Sequence, residues 1–152
     1  MSRPMKKMTP FLWFPGNQAA EAAKYYVSVF KQGSKVTASN PMSTAFVLRG
    51  QHFIALNGNA KQPFNDAYST YVHCKTQKEV DALWARLIGD GGTETMCGWL
   101  RDKYGLAWQI VPAVLPKLLG AKNRVKAQAA ITAMMQMKKI DGPALQRAFD
   151  DA

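Results

Sequence analysis

The sequence predicts an α+β fold: two tandem βαβββ modules with mixed sheets, followed by carboxy-terminal helices. Three observations carry that prediction. Short apolar strand segments alternate with two Ala- and Leu-rich helical segments, the strand–helix–strand order of the first half recurs in the second, and after Pro112 the pattern turns helical. The expected segments are residues 1–64, 65–112 and 113–152 of one compact domain.

In the first module TPFLWF is an apolar strand that ends at the turn PGN, where Asn17 is placed to cap the following helix. That helix, QAAEAAKYYVSVF, spaces its aromatics three to five residues apart, as an amphipathic helix requires. KVTASN, TAFVLRG and QHFIALNG read as strands, the last two joined by the turn RGQ. The second module opens on the strand STYVHC, and Thr76 is placed to cap the helix KEVDALWARLIGDGG, closed by glycines. TETMCGWLRD and GLAWQIVP then form a hairpin across KYG. Phe14 aligns with Cys74 and Ala22 with Ala82, each sixty residues on, and Ala55 aligns with Gln109, fifty-four on. Neither copy is large enough to bury its sheet alone.

Beyond Pro112, VPAVLPKLLG gives a short helix. AKNRVKAQAAITAMMQMKK carries Val125, Ala129, Thr132, Met135 and Met137 close to helical spacing, with Lys138 and Lys139 in its last turn, where the dipole favours cations. A final helix starts at a capping Asp141. The methionine stripe is expected to pack on the sheet or on a sister subunit.

With 152 residues, 47% hydrophobic and 20% charged, the chain can bury a real core. Its two cysteines, Cys74 and Cys97, form neither a disulfide framework nor a metal spacing, which points to a reducing cytoplasm. No apolar run approaches the roughly 20 residues of a membrane span, and MSRPMKKM is too short and too polar for a secretory signal. The formal net charge of +10 raises the question of nucleic acid. The charges are scattered, however, and no arginine-rich arm, zinc-finger spacing or RNA-binding signature accompanies them. That argues against nucleic acid and leaves a solvated basic surface or a preference for anionic small molecules.

FLWFPGNQAAEAAKYYVSVF, LRGQHFIALNGN, YVHCKTQKEVDALWARL, CGWLRDKYGLAWQIVPAVLPKLL and MKKIDGPALQRAF together resemble the PhnB-like, demethylubiquinone methyltransferase-like branch of the vicinal oxygen chelate superfamily, which also holds glyoxalase I, the extradiol dioxygenases and the bleomycin and fosfomycin resistance proteins. CGWLRDKYGLAWQIVP is the most specific piece. The resemblance implies a glyoxalase-like fold whose paired modules curl their sheets into cups. In metal-dependent relatives four inward side chains, usually His and Glu, hold one divalent cation. Carried onto this chain, those positions fall near Thr9 and Ser69 on the first strands and at Ala55 and Gln109 on the last. None is His, Asp, Glu or Cys, so no metal is expected there. No cofactor is expected either, since no Gly-rich strand-to-helix loop suits a nucleotide-like methyl donor.

Alternation extends the inward face from Thr9 to Phe11 and Trp13, from Ala55 to Phe53 and Asn57, from Ser69 to Tyr71 and His73, and from Gln109 to Ala107. The expected ligand-binding set is therefore Thr9, Phe11, Trp13, Phe53, Asn57, Ser69, Tyr71 and Gln109, an aromatic pocket with few polar groups. The same list is compatible with a filled core. Gln109 can donate and accept, so it suits either a ligand oxygen or a buried neighbour. His73 is the candidate acid or base, although no carboxylate near it in sequence orients it. His52 is expected to face away from the cup.

Two functions follow. The preferred one is a metal-free binding protein for an apolar or aromatic, anionic small molecule, acting as a homodimer. The alternative is a glyoxalase-, lyase- or isomerase-type enzyme with a degenerate or relocated metal site, using His73 with Gln109 or Tyr71 for proton transfer. A third reading is a scaffold whose cup is filled by its own aromatics.

Overall fold

Apolar residues on both faces of its strands give the first half of the chain a sheet that one helix covers on one side. The structure, a computed structural model, describes residues 8–152. Of the segment MSRPMKKM, read above as unlike a secretory signal, residues 1–7 lie outside the described residues. The chain divides into two compact units, residues 1–63 and 64–152.

The first unit contains β1 (Phe11–Trp13), α1 (Ala19–Phe30), β2 (Lys35–Ser39), β3 (Ser43–Leu48) and β4 (Gln51–Leu56). Its strand order is β1-β4-β3-β2, with β1 parallel to β4 and the other pairs antiparallel. Residues in register share a face of a sheet. Phe46 is in register with Phe53, and Thr44 and Leu12 are in register with Ala55. This face packs on α1, whose buried side is Ala19, Ala22, Ala23, Tyr26, Val29 and Phe30. Tyr26 stacks on Phe46 at 6.1 Å between ring centroids, and Phe46 on Phe53 at 5.4 Å.

The cap of α1 differs from expectation. Gln18 stands at the N-cap and makes no side-chain cap bond, and Asn17 does not fill the role. The cap comes instead from Asn57, thirty-eight residues on, whose Oδ1 accepts from Ala19 N at 2.9 Å. Its Nδ2 donates to Pro41 O at 3.0 Å, so one amide ties the helix start to the β2–β3 turn. Local sequence could not show this, because the partner arrives only when β4 is laid into the sheet.

The second unit repeats the topology with β5 (Ser69–Cys74), α2 (Gln77–Gly89), β6 (Thr93–Glu94), β7 (Trp99–Arg101) and β8 (Ala107–Pro112), in the order β5-β8-β7-β6. Thr76 caps α2 by accepting from Glu79 N at 3.2 Å, while the Glu79 carboxylate accepts from Lys75 N at 3.0 Å. The expected single strand TETMCGWLRD is broken into β6 and β7. Cys97 and Gly98 both take positive φ there, 57° and 84°, and their N–H groups turn to the carboxy-terminal segment.

That segment follows α3 (Val114–Leu119) and α4 (Arg124–Met134) and precedes α5 (Gly142–Asp150). Met137 O accepts from Cys97 N at 2.8 Å and Lys138 O from Gly98 N at 2.7 Å. Helix α4 therefore ends earlier than expected, and Lys138 and Lys139 lie beyond its last turn. Lys139 pairs with Asp81 of α2 at 2.8 Å, while Gln77 donates to Ile140 O and accepts from Gly142 N, both at 2.8 Å. Asp141 caps α5 through Ala144 N at 3.0 Å. The helices close over Val111, Leu115, Leu118, Ala130, Ile140 and Leu145, with Met134 and Met137 against them. Met135 remains exposed.

The β7–β8 hairpin turns on Asp102, a carboxylate only 4% exposed. Its Oδ1 accepts from Tyr104 N at 2.8 Å and Leu106 N at 3.1 Å, and its Oδ2 accepts from Trp108 Nε1 at 2.8 Å. Gly105, at φ 87°, closes the turn by donating to Asp102 O.

Two stability predictions follow from these nodes. Asp102→Ala strands three donors and should cost about 3 kcal/mol or more in chemical denaturation, because each buried unpaired group costs about 1–3 kcal/mol. Asn57→Ala removes a helix cap and should cost about 1–2 kcal/mol in the same measurement.

Candidate ligand-binding site

Register decides which side chains share a face. In the first unit the face away from α1 carries Phe11 in register with Ile54, Trp13 with Leu56, and Val47 with His52. Phe11 and Trp13 are 55% and 49% exposed there, and Thr9, half-buried, precedes them. Phe53 does not join them: it is 2% exposed and lies on the helix face with Ala55. His52, expected to point away from Phe11 and Trp13, shares their face. The expected inward set on β4 is therefore shifted by one residue, from Phe53 and Ala55 to His52, Ile54 and Leu56. A one-residue shift exchanges the two faces of a strand. Asn57 is committed to capping α1 and to Pro41.

In the second unit the expected parity matches the register. Ser69 is in register with Ala107, Tyr71 with Gln109 and His73 with Val111. On the other side of β8, Gln109 faces Trp99 and Ala107 faces Arg101. Two rows result: Ser69–Ala107–Arg101–Thr93, and Tyr71–Gln109–Trp99. The opposite face, with Val72, Cys74, Leu100, Trp108 and Ile110, is buried on the side of α2. Cys74 is in that core as expected.

The open face has a definite chemistry. Gln109 Nε2 donates to Ser69 Oγ at 2.9 Å, and among the described residues no donor reaches its carbonyl Oε1. Tyr71, 38% exposed, lies 4.7 Å from the His73 ring at a 54° tilt. Burial pushes the Tyr71 phenol above its ordinary value of 10.0, so near neutral pH it is a hydroxyl donor. At the edge of the face Arg101 meets Asp66, with Nε at 3.0 Å from one carboxylate oxygen and Nη2 at 2.7 Å from the other. Sequence reading missed Trp99, Arg101 and Asp66. The hairpin turn at KYG could have revealed the first two, since it sets Trp99 opposite Gln109.

Residues 6–111 match the sequence profile of a family described as 3-demethylubiquinone-9 3-methyltransferase. The chain belongs to that family. It is similar to a putative 3-demethylubiquinone-9 3-methyltransferase, PhnB protein, from Bacillus cereus, at 33% identity and a TM-score of 0.63 over 71% of this chain and 100% of that one. A glyoxalase-related enzyme from Fulvimarina pelagi (16% identity, TM-score 0.50, 68% of this chain and 86% of that one) shares the fold. So does a protein from Pseudomonas aeruginosa (20% identity, TM-score 0.53, 68% and 95%). No curated protein matches at a significant level. The family match and the PhnB relative put the chain in the PhnB-like branch of the vicinal oxygen chelate superfamily, and the glyoxalase-related structure shares its fold.

The metal that this superfamily commonly uses does not fit the residues present. Register moves the fourth ligand position from Ala55 to Ile54, the partner of Phe11 as Gln109 is of Tyr71. In the first unit Thr9 and Ile54 offer a hydroxyl and an alkyl group, and in the second Ser69 and Gln109 offer a hydroxyl and an amide already bonded to each other; neither pair suits a divalent cation. Among the described residues no group of three His, Cys, Asp or Glu side chains could hold an ion.

The ion pair at the edge makes a titration prediction. Hydrogen bonds from Arg101, with its charge adding to them, hold the Asp66 carboxyl below its ordinary value of 3.8. A carboxyl lowered in the folded state contributes stability that is complete above its unfolded value and lost as pH falls through the folded one. Carbon-detected NMR should show Asp66 titrating below 3.8, and Arg101→Gln should return it to the ordinary range.

Proposed function

We propose that this protein is a metal-free binding protein for a small aromatic, anionic molecule, held on the open face of the second unit by Ser69, Tyr71 and Gln109. The observation that carries the reading is the Tyr71–Gln109–Trp99 row, in which an amide anchored on Ser69 lies between two aromatic side chains. Aromatic walls around a few fixed polar groups are the usual make-up of a small-molecule site. The net charge of +10 would raise the local concentration of an anionic ligand.

Thr9, Phe11 and Trp13 of the first unit supply a second exposed aromatic face to the same end, and Phe53 and Asn57 support the fold from behind it. The acid–base role first considered for His73 finds no support in its neighbours: among the described residues it meets the Tyr71 ring and no carboxylate orients it. The reading includes a homodimer and a cytoplasmic location; no helix of the described residues is long and apolar enough to cross a membrane.

Native mass spectrometry of freshly purified protein should show a reproducible small organic mass and no stoichiometric metal. Gln109→Leu and Tyr71→Ala should each lose that mass while unfolding at an unchanged denaturant midpoint. Retention by both variants, or a stoichiometric divalent ion, would overturn the reading.

A further inference from the structure

The guanidinium of Arg101 stands on the same face as Gln109, one row away, and a carboxylate from the chain itself already occupies it. Trp99 and Arg101 are two residues apart on β7, and Gln109 and Ala107 two apart on β8, so the rows lie about 7 Å apart. Asp66 reaches Arg101 from the turn before β5, where Asn65 Oδ1 accepts from Ala67 N at 2.8 Å and shapes the chain. The contact is bidentate, two parallel N–H···O bonds from one planar group to another, which is the geometry arginine offers to any carboxylate. Both side chains are close to half exposed, 47% and 46%.

The pair adds only modestly to the fold, because water screens both groups, and its bidentate geometry is one that any carboxylate can take. It marks a site that fits a carboxylate. A molecule that brought its own carboxylate and also covered Tyr71 and Trp99 would gain aromatic burial that Asp66 cannot supply. A benzene ring with substituents at opposite ends is long enough to bridge rows about 7 Å apart, so a carboxylate at Arg101 would leave its other end to the Gln109 carbonyl or the Tyr71 hydroxyl.

We infer that Arg101 recognises the carboxylate of an aromatic acid and that Asp66, bound to the same guanidinium edge, is an internal competitor displaced when the acid binds. The inference rests on the proposed binding face and adds to it a ligand class and a built-in threshold. Asp66 lowers apparent affinity for every carboxylate equally, so only acids with enough aromatic surface on the Tyr71–Trp99 row exchange with it.

The test is calorimetric titration of wild type, Asp66→Asn and Arg101→Gln with 4-hydroxybenzoate and with phenol, its counterpart without the carboxylate. Asp66→Asn should bind the acid about three- to fivefold more tightly, the scale of an exposed ion pair, and phenol no differently. Arg101→Gln should bind the two compounds with similar, weak affinity. Circular dichroism of both variants should match wild type, since neither side chain is buried. Equal binding of acid and phenol by wild type and both variants would overturn the exchange while leaving the binding face standing. Unchanged or weaker binding of the acid by Asp66→Asn would also overturn it. Binding of neither compound to any of the three proteins at millimolar concentration would overturn both.

Discussion

The buried carboxylate of Asp102 is the constraint from which the second unit's open face follows. A charge taken out of water is tolerable only when its oxygens are met by donors. Here the donors are Tyr104 N, Leu106 N and the indole of Trp108. Satisfying all three leaves the hairpin one turn geometry and seats Trp108 on the α2 side of β8. With Trp108 turned that way, Gln109 must point to the other side, and the antiparallel register brings Trp99 beside it and Arg101 beside Ala107. The residues that make the hairpin and the residues that make the site are thus two halves of one alternation. The polar turn DKYG sets the parity of both strands that follow from it.

That alternation also explains what could be read from sequence and what could not. In STYVHC the polar and aromatic residues Ser69, Tyr71 and His73 alternate with Thr70, Val72 and Cys74, so the face that meets α2 declares itself. Gln109 does the same for AWQIVP. In QHFIAL both sets, His52, Ile54 and Leu56 against Gln51, Phe53 and Ala55, contain apolar residues, and hydrophobic pattern alone cannot choose between them. The choice is made by pairing: Phe46 stacks on Phe53 and Tyr26 of α1 on Phe46, contacts between segments that sequence does not bring together. The repeat of the two modules was legible because helix and first strand keep one offset. Its last strand was misaligned by one residue for the same lack of polar contrast.

The carboxy-terminal helices illustrate a second limit. Their capping Asp141 is a local signal and is found where the sequence places it, but the expected stripe is not the packed face: Val125 and Met135 are exposed, and Ala127, Ala130 and Met134 turn to the core instead. The helices' role in supporting β7 is not local. Residues 137 and 138 give carbonyls to the N–H groups of Cys97 and Gly98, and a Cβ at Gly98 would stand 2.6 Å from Ile140 Cδ1. Only glycine permits that approach together with the positive φ. Val111, on the face that carries His73 and Gln109, is buried in the helices' own core. The family match ends at residue 111, so the segment beyond it lies outside the matched profile, and it packs on Val111 of the strand that carries Gln109.

What remains of the face is nearly neutral at its centre. Relatives that chelate a cation need anionic or imidazole ligands, whose charge the ion offsets. Ser69 and Gln109 offset one another by a hydrogen bond instead, with no charge to desolvate and with an amide carbonyl left to accept. The charges of this face lie at its edge, in Arg101 and Asp66, where water reaches them. On the proposed reading that separation divides the work of recognition. The neutral row selects shape and aromatic surface without the desolvation cost of a buried ion, and the exposed guanidinium selects the sign of the ligand's charge. An anchor in water contributes little by itself. Its effect depends on the aromatic surface covered at the same time, so a small carboxylate lacking a ring has no advantage over Asp66.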